Sequence, residues 1–368
     1  MFYVHICEVS LITCTTDTLV QVCAVNGAGV RKVRIQWWKK ASFIVASTLA
    51  LVVFIKFNGN VSSFIRHVQE QDAIYTFMQV NRSEAEKKEL YAKIQAEAGQ
   101  HKVEPINARI DRVYDAIPGY NGVEVDIEKT YEYNLQMVRG EKIRFIYKNI
   151  EPTVKLEDLG NHPIYKGNPN KKMVSFMINV AWGNEYIDSM LDSLDREQIH
   201  ATFFLDGTWL RDNKEIALKI QNAGHELSNH AYSHPDMAKL SRSEQERQIT
   251  RTEQLLKDIN VENKWFAPPS GSFNQATIQV ARDQGLLTVL WTIDTIDWKR
   301  PPASLVVSRV TTKLEPGALI LMHPTISSSE ALPELIKNIK DKGYSIGTVS
   351  ETLSSEWLKD KVEGVDLF

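Results

Sequence analysis

The C-terminal half of this 368-residue chain predicts an α/β fold with a parallel sheet, open or closed as a barrel. Two observations carry that expectation. From Met173 onward, short apolar runs alternate with longer charged segments of helical spacing, the pattern of strand–helix repeats. Glycines at Gly224, Gly285 and Gly343 follow the ends of those helical segments, where a left-handed cap favours glycine.

The expected strands are Met173–Val180, His200–Leu205, His225–Ser228, Trp265–Ala267, Leu287–Ile293, Ala318–Met322 and Tyr344–Val349. Between them Asn213–Ala223, Ser243–Ile259 and Glu330–Lys340 read as helices, with Ile216, Leu218 and Ile220 on or near the buried side of the first. Chemistry in such folds gathers at the C-terminal strand ends, and those ends are polar here. Strand 1 ends in Asn179-Val180-Ala181-Trp182-Gly183 and strand 2 in Asp206-Gly207, while strand 3 runs into Ser228–Pro235 with His230 and His234. Strand 4 ends in Pro268-Pro269-Ser270-Gly271, strand 5 in Asp294–Trp298, and strand 6 in His323-Pro324. Three of the nine histidines and three carboxylates therefore fall at one rim, which marks it as the place to look for a site.

The N-terminal half reads differently. The basic stretch Arg31–Lys40 precedes an apolar run of 15 residues, Ala41–Ile55, the pattern of an export signal or short anchor. Trp37, Trp38 and a snorkelling Lys56 extend it, and no small-residue cleavage site follows. Residues 30–57 are thus expected to anchor the chain, with the remainder outside the membrane, or to be removed and release it. Residues 1–29 hold all three cysteines and no Lys or Arg; a true start near Val30 or Val33 is expected, and 1–29 reads as an extension. The cysteine-free remainder uses no disulfide.

Residues 61–155 read as a small α+β domain on a helical stalk. Its helix, expected from about Val61 to Lys93, carries a capping box at Ser83 and Glu86. Strand-prone runs follow at Val123–Ile127, Tyr131–Val138 and Ile143–Lys148, the last two forming a hairpin about Arg139-Gly140. Residues 161–170 are the linker, 171–355 the α/β domain and 356–368 a tail. A formal charge of −3 and dispersed basic residues argue against a nucleic-acid partner, and 43% hydrophobic residues suffice for a core.

Residues 173–352 resemble the NodB-homology polysaccharide deacetylases, especially the sporulation-type and YlxY-like members. The resemblance rests on GHELSNHAYSHPDM at Gly224–Met237, followed in order by FAPPSG, LWTIDTIDW and ALILMHP. It implies a seven-stranded distorted (β/α) barrel and metal-assisted hydrolysis of N-acetyl groups on peptidoglycan or a related glycan. By resemblance, His230 and His234 bind a zinc- or cobalt-like divalent ion, and Asp297 tunes His323 as the acid for the leaving amine. Two imidazoles four residues apart can chelate from one side of a turn, and a carboxylate beside an imidazole favours its protonated form.

Three departures count against turnover. The family's first motif, Thr-Phe-Asp-Asp, reads Met177-Ile178-Asn179-Val180 here. Asn179 carries no carboxylate to take a proton, Val180 stands where the metal-binding aspartate usually sits, and Ala267 replaces the arginine that orients the base. Asp206 is a candidate substitute base, with Asp294 and Glu185 weaker ones. Trp182, Trp298, Asn179 and Pro269 are expected to line the sugar pocket. Two readings stay open: a deacetylase of impaired or altered activity, and a glycan-binding pseudoenzyme with a structural or regulatory role in the envelope.

Overall fold

A computed structural model of the chain describes residues 82–357. The N-terminal extension, the proposed anchor, residues 61–81 of the expected stalk helix and the end of the tail lie outside the described residues; that helix was expected as one run to Lys93, but Ser83 is extended and the described helix begins at Glu84. No helix among the described residues is long and apolar enough to cross a membrane.

The first described helix, α1 (Glu84–Ala98), opens as the sequence predicts. Ser83 Oγ accepts from the Glu86 backbone N–H at 3.3 Å, and the Glu86 carboxylate accepts from the Ser83 N–H at 2.6 Å. A two-stranded hairpin of β1 (Arg109–Asp111) and β2 (Asp115–Ile117) follows, which the sequence reading did not anticipate. The next strand, β3 (Gly122–Val125), is where it was expected.

The expected strand at Tyr131–Val138 is instead mostly helix, α2 (Ile127–Leu135), and the hairpin about Gly140 does not form. Alternating Tyr131, Tyr133 and Leu135 mimic a strand, but capping and tertiary contacts override that pattern. Asp126 caps the helix by accepting from the Lys129 N–H at 3.1 Å. Buried Asn134 donates to the Arg144 carbonyl and accepts from the Arg144 N–H, while Thr130 Oγ1 accepts from the Ile146 N–H. These side chains satisfy the backbone that a partner strand would have met. Strand β4 (Tyr147–Ile150) then pairs antiparallel with β3 across the helix.

After residue 171 the expected alternation appears. Its elements in order are β5 (Met173–Val180), α3 (Asn184–Arg196), β6 (Thr202–Leu205), α4 (Gly207–Asp212), α5 (Lys214–Asn222) and β7 (Glu226–Asn229). They continue as α6 (Arg242–Lys257), β8 (Trp265–Phe266), α7 (Gln275–Asp283), β9 (Leu287–Thr288) and β10 (Ile293–Asp294). Last come α8 (Ala303–Lys313), β11 (Leu319–Met322), α9 (Ile326–Asp341), β12 (Ser345–Gly347) and α10 (Val349–Leu353). Gly224, Gly285 and Gly343 all take positive φ, as their places after helix ends require.

The parallel strands run β10-β11-β5-β6-β7-β8-β9, with β12 also paired to β5. One expected strand, Leu287–Ile293, is split into β9 and β10, so seven expected strands become eight segments. Residues 161–170 join this sheet system: Ile164 bridges Val289 in parallel and Lys166 bridges Ala318 antiparallel. Two separate cores occupy the two faces of the curled sheet. Val174, Phe176, Ile178 and Val180 of β5 pack outward against Ile187, Met190 and Leu194 of α3 and Leu335 and Ile339 of α9. Met177 of the same strand packs inward with Phe204, Trp265, Val289 and Leu319. This period-2 division assigns odd-numbered residues of β5 to the inner face of the curled sheet, which sends Asn179 inward at the strand end.

Away from the rim, His225 is buried beneath β6, with its Nδ1 accepting from the Ala201 N–H at 3.2 Å. Burial, reinforced by nearby His200, pushes His225 down to about 4. An unfolded histidine titrates near ~6.5, so the unfolded chain binds the extra proton between those values, and stability falls as pH drops from ~6.5 toward 4. Between pH 7 and 5 the wild type is expected to lose on the order of 2 kcal/mol through this group. Denaturant titrations at both pH values check it: His225→Asn should flatten the dependence by that amount, and an unchanged slope would refute the assignment.

Candidate active-site cleft

A cleft of about 420 Å³ opens at the C-terminal ends of the parallel strands. Asn179, Trp182, His230, His234, Trp298 and His323, all singled out from the sequence, line it. Asp294 lines it as well, together with Ala181, Ser270, Trp291 and Leu321.

The two motif histidines follow β7. His230 is 1% exposed, and its Nδ1 meets the Ala267 carbonyl at 2.7 Å. A carbonyl only accepts, so Nδ1 carries the proton and Nε2 keeps its lone pair. Burial, aided by His234, pushes His230 down to about 3, so the ring is neutral. His234 lies edge-to-face with it, ring centroids 5.3 Å apart. The turn between them is strained, since Ala231 and His234 both take positive φ (59° and 51°). Ser270, Ile296 and Arg300 on the same rim share that left-handed conformation, and Ile296 is β-branched, which makes it a true outlier.

His323 follows β11 and is held from behind. Its Nδ1 is 2.8 Å from Asp297 Oδ1, and its backbone N–H donates to Oδ2 at 2.7 Å. Thr325 Oγ1 and Ser328 Oγ also donate to Oδ2, at 3.2 and 2.5 Å. Burial alone would push the Asp297 carboxyl up, but the hydrogen bonds and charge of His323, with Ser328, pull it below the ordinary carboxylate value. Asp297 is fully buried and reaches the cleft only through His323. The Trp182 ring lies nearly parallel to His323, 6° apart in plane with centroids 6.0 Å apart. Gly183 makes this approach possible: its φ is +86°, and a Cβ there would overlap the Pro324 carbonyl oxygen.

Three residues named from the sequence lie elsewhere. Asp206 is 2% exposed and caps α4, accepting from the Trp209 N–H at 3.0 Å and from Thr208 Oγ1. It does not line the cleft, because the strand end turns directly into a helix whose free N–H groups claim the carboxylate. Pro269 is buried in the tight turn 269–271, and its neighbour Ser270 takes the lining position. Glu185 is exposed in the first turn of α3 and does not line the cleft either.

Trp291 and Leu321 were missed, although the alternation of inward residues Leu287, Val289 and Trp291, and of Leu319 and Leu321, points to both. Gly271 lets Trp291 approach, since a Cβ there would lie 3.0 Å from the ring.

The residues present do not fit a complete catalytic metal centre. Such a zinc site uses three protein ligands, and His230 and His234 supply two. Val180, at the position of the usual aspartate, packs outward in the helix-facing core. Among the described residues no group of three His, Cys, Asp or Glu side chains could hold a metal ion. The rim keeps a positioned imidazole–carboxylate pair and a tryptophan-walled pocket, holds the amide of Asn179 where the resemblance puts the base, and lacks a third metal ligand among the described residues.

Comparison with known proteins agrees with this partial retention. A family model described as polysaccharide deacetylase matches residues 166–289. The uncharacterized protein YlxY of Bacillus subtilis is 49% identical over 270 residues, covering 73% of this chain and 85% of that protein. A peptidoglycan-N-acetylglucosamine deacetylase of Bacillus cereus is 30% identical over 249 residues, covering 62% of this chain and 90% of that protein. The crystal structure of BA3943, described as a CE4 family pseudoenzyme from Bacillus anthracis, superposes with a TM-score of 0.67 at 43% identity, covering 73% of this chain and 96% of that one. A BA3943 mutant described as having restored enzymatic activity superposes equally well, at 42% identity, covering 73% of this chain and 99% of that one. On the strength of its curled parallel sheet, its ordered motifs and these likenesses, the chain belongs to the polysaccharide deacetylase family.

Proposed function

We propose that this chain is an extracytoplasmic protein of the cell envelope whose cleft binds an N-acetylated glycan, peptidoglycan or a related polymer, with the family's hydrolysis of N-acetyl groups impaired. The observation that carries the reading is Asn179, an amide facing the cleft where the family places its base. Of the candidate carboxylates, Asp206 caps a helix and Asp297 is committed to His323, which leaves Asp294 lining the cleft with its Oδ1 accepting from the Ile296 N–H at 2.8 Å. A zinc or cobalt ion would rest on His230 and His234 alone, so no catalytic step is assigned to one. Trp182 and Trp298, 44% and 51% exposed, offer faces on which sugar rings can stack.

The left-handed backbone at Ala231, His234, Ser270 and Ile296 on one rim supports use of the cleft, since a non-glycine residue held there costs of order 1–3 kcal/mol. The peptidoglycan deacetylase of Bacillus cereus and the pseudoenzyme BA3943 support the glycan class and the loss of turnover respectively. Anchoring by residues 30–57, or release after their cleavage, places the cleft outside the membrane in this reading.

The test incubates the full chain with zinc or cobalt and either acetylated chito-oligosaccharides or peptidoglycan, following both released acetate and binding. Binding without acetate is the expected result. Acetate that disappears in His230→Ala would overturn the impairment.

A further inference from the structure

Asn179 is 3% exposed, yet it lines the cleft. Its Oδ1 is buried with no hydrogen-bond partner, and no residue of the barrel fixes the amide through Nδ2. A buried amide left in this state is costly unless a ligand completes it. An aspartate at this position would only accept hydrogen bonds when ionised, whereas asparagine both donates and accepts. The complementary group is another amide, with one C=O acceptor and one N–H donor. An acetamido substituent on a sugar has that composition and adds a methyl group. Ala181, Trp291 and Leu321 line the same cleft and supply apolar surface for the methyl. The His230 Nε2 lone pair offers a further acceptor that needs no ion to be useful.

We propose that Asn179 makes the cleft a metal-independent reader of N-acetylation, pairing directly with the acetamido group and discriminating against the de-N-acetylated sugar. This rests on the glycan-binding reading above and adds to it the chemical feature read and the absence of any requirement for a divalent ion. A de-N-acetylated sugar carries an ammonium that donates and cannot accept. It leaves the asparagine donor unmet and the apolar wall uncovered, and a site built to hydrogen-bond a group rejects the analogue lacking it.

The experiment is calorimetric titration of the full chain with N-acetylated chitotetraose and with its fully de-N-acetylated counterpart, each in EDTA and again with zinc. The N-acetylated sugar should bind ~10-fold or more tightly, with a preference in EDTA matching that in zinc within about 2-fold. In EDTA, Asn179→Ala should bring the preference close to unity, and the isosteric Asn179→Asp, whose carboxylate pairs with the ammonium, should bring it to unity or below, thermal melts confirming that each variant is folded. A preference that requires zinc, or that survives both substitutions, would overturn the proposal. Equal affinity for the two sugars would also overturn it while leaving the glycan reading standing. No binding of either sugar would remove both.

Discussion

Asn179→Asp, supplied with zinc, is expected to release acetate from N-acetylated chito-oligosaccharides at least ~100-fold above the parent chain, since a positioned general base contributes about 10²–10⁴-fold. The substitution is isosteric and sits at an inward position at the end of β5, so the barrel need not move to accept it. Val180→Asp is not an equivalent repair. Val180 packs among Ile178, Ile187 and other outward-facing residues, where an unpaired carboxylate would cost stability. The BA3943 mutant with restored activity shows that a related cleft can be returned to turnover. His230→Ala in the Asn179→Asp background should abolish the gained activity. If Asn179→Asp still binds glycan and stays at the blank rate, the losses at Val180 and Ala267 are sufficient by themselves to silence the site.

Asp297→Ala is expected to be the most destabilising single change on the rim, lowering unfolding free energy by about 3–5 kcal/mol. Asp297 accepts from the His323 N–H, Thr325 and Ser328 and partners His323 Nδ1, and removing it strands all four groups in a water-poor site. Asp297→Asn keeps one acceptor oxygen and should cost about 1–2 kcal/mol. Urea titrations of the three proteins at neutral pH distinguish the cases. A loss below about 1 kcal/mol for Asp297→Ala would mean that water replaces the carboxylate, and that the His323 loop does not depend on it. The outcome bears on function, because this pair holds the one imidazole on the rim that has a buried carboxylate behind it.

Much of the architecture was legible along the chain. Strand–helix alternation, glycine caps and the Ser83 capping box are local patterns, written in residues close in sequence, and they appear as expected. The cleft histidines were legible because motif spacing survives where chemistry constrains it. Asn179 was legible as a loss, since an amide cannot do the work of a carboxylate wherever it points. Its inward direction was decided by packing, since β5 is buried on both faces and the core around Met177 marks the inner one.

Other features were decided only by tertiary structure. Tyr131–Leu135 alternates like a strand, yet forms a helix because Thr130 and Asn134 bond the distant backbone of residues 144–146. Asp206 looked available as a base until the chain turned into α4 and its carboxylate became a cap. Residues 161–170 read as a linker by composition, but Ile164 and Lys166 pair with strands far along the chain. In each case the deciding partner lies outside the local window, so neither propensity nor motif order could register it. The sequence determined which groups the rim owns; long-range hydrogen bonding decided which of them remain free to meet a ligand.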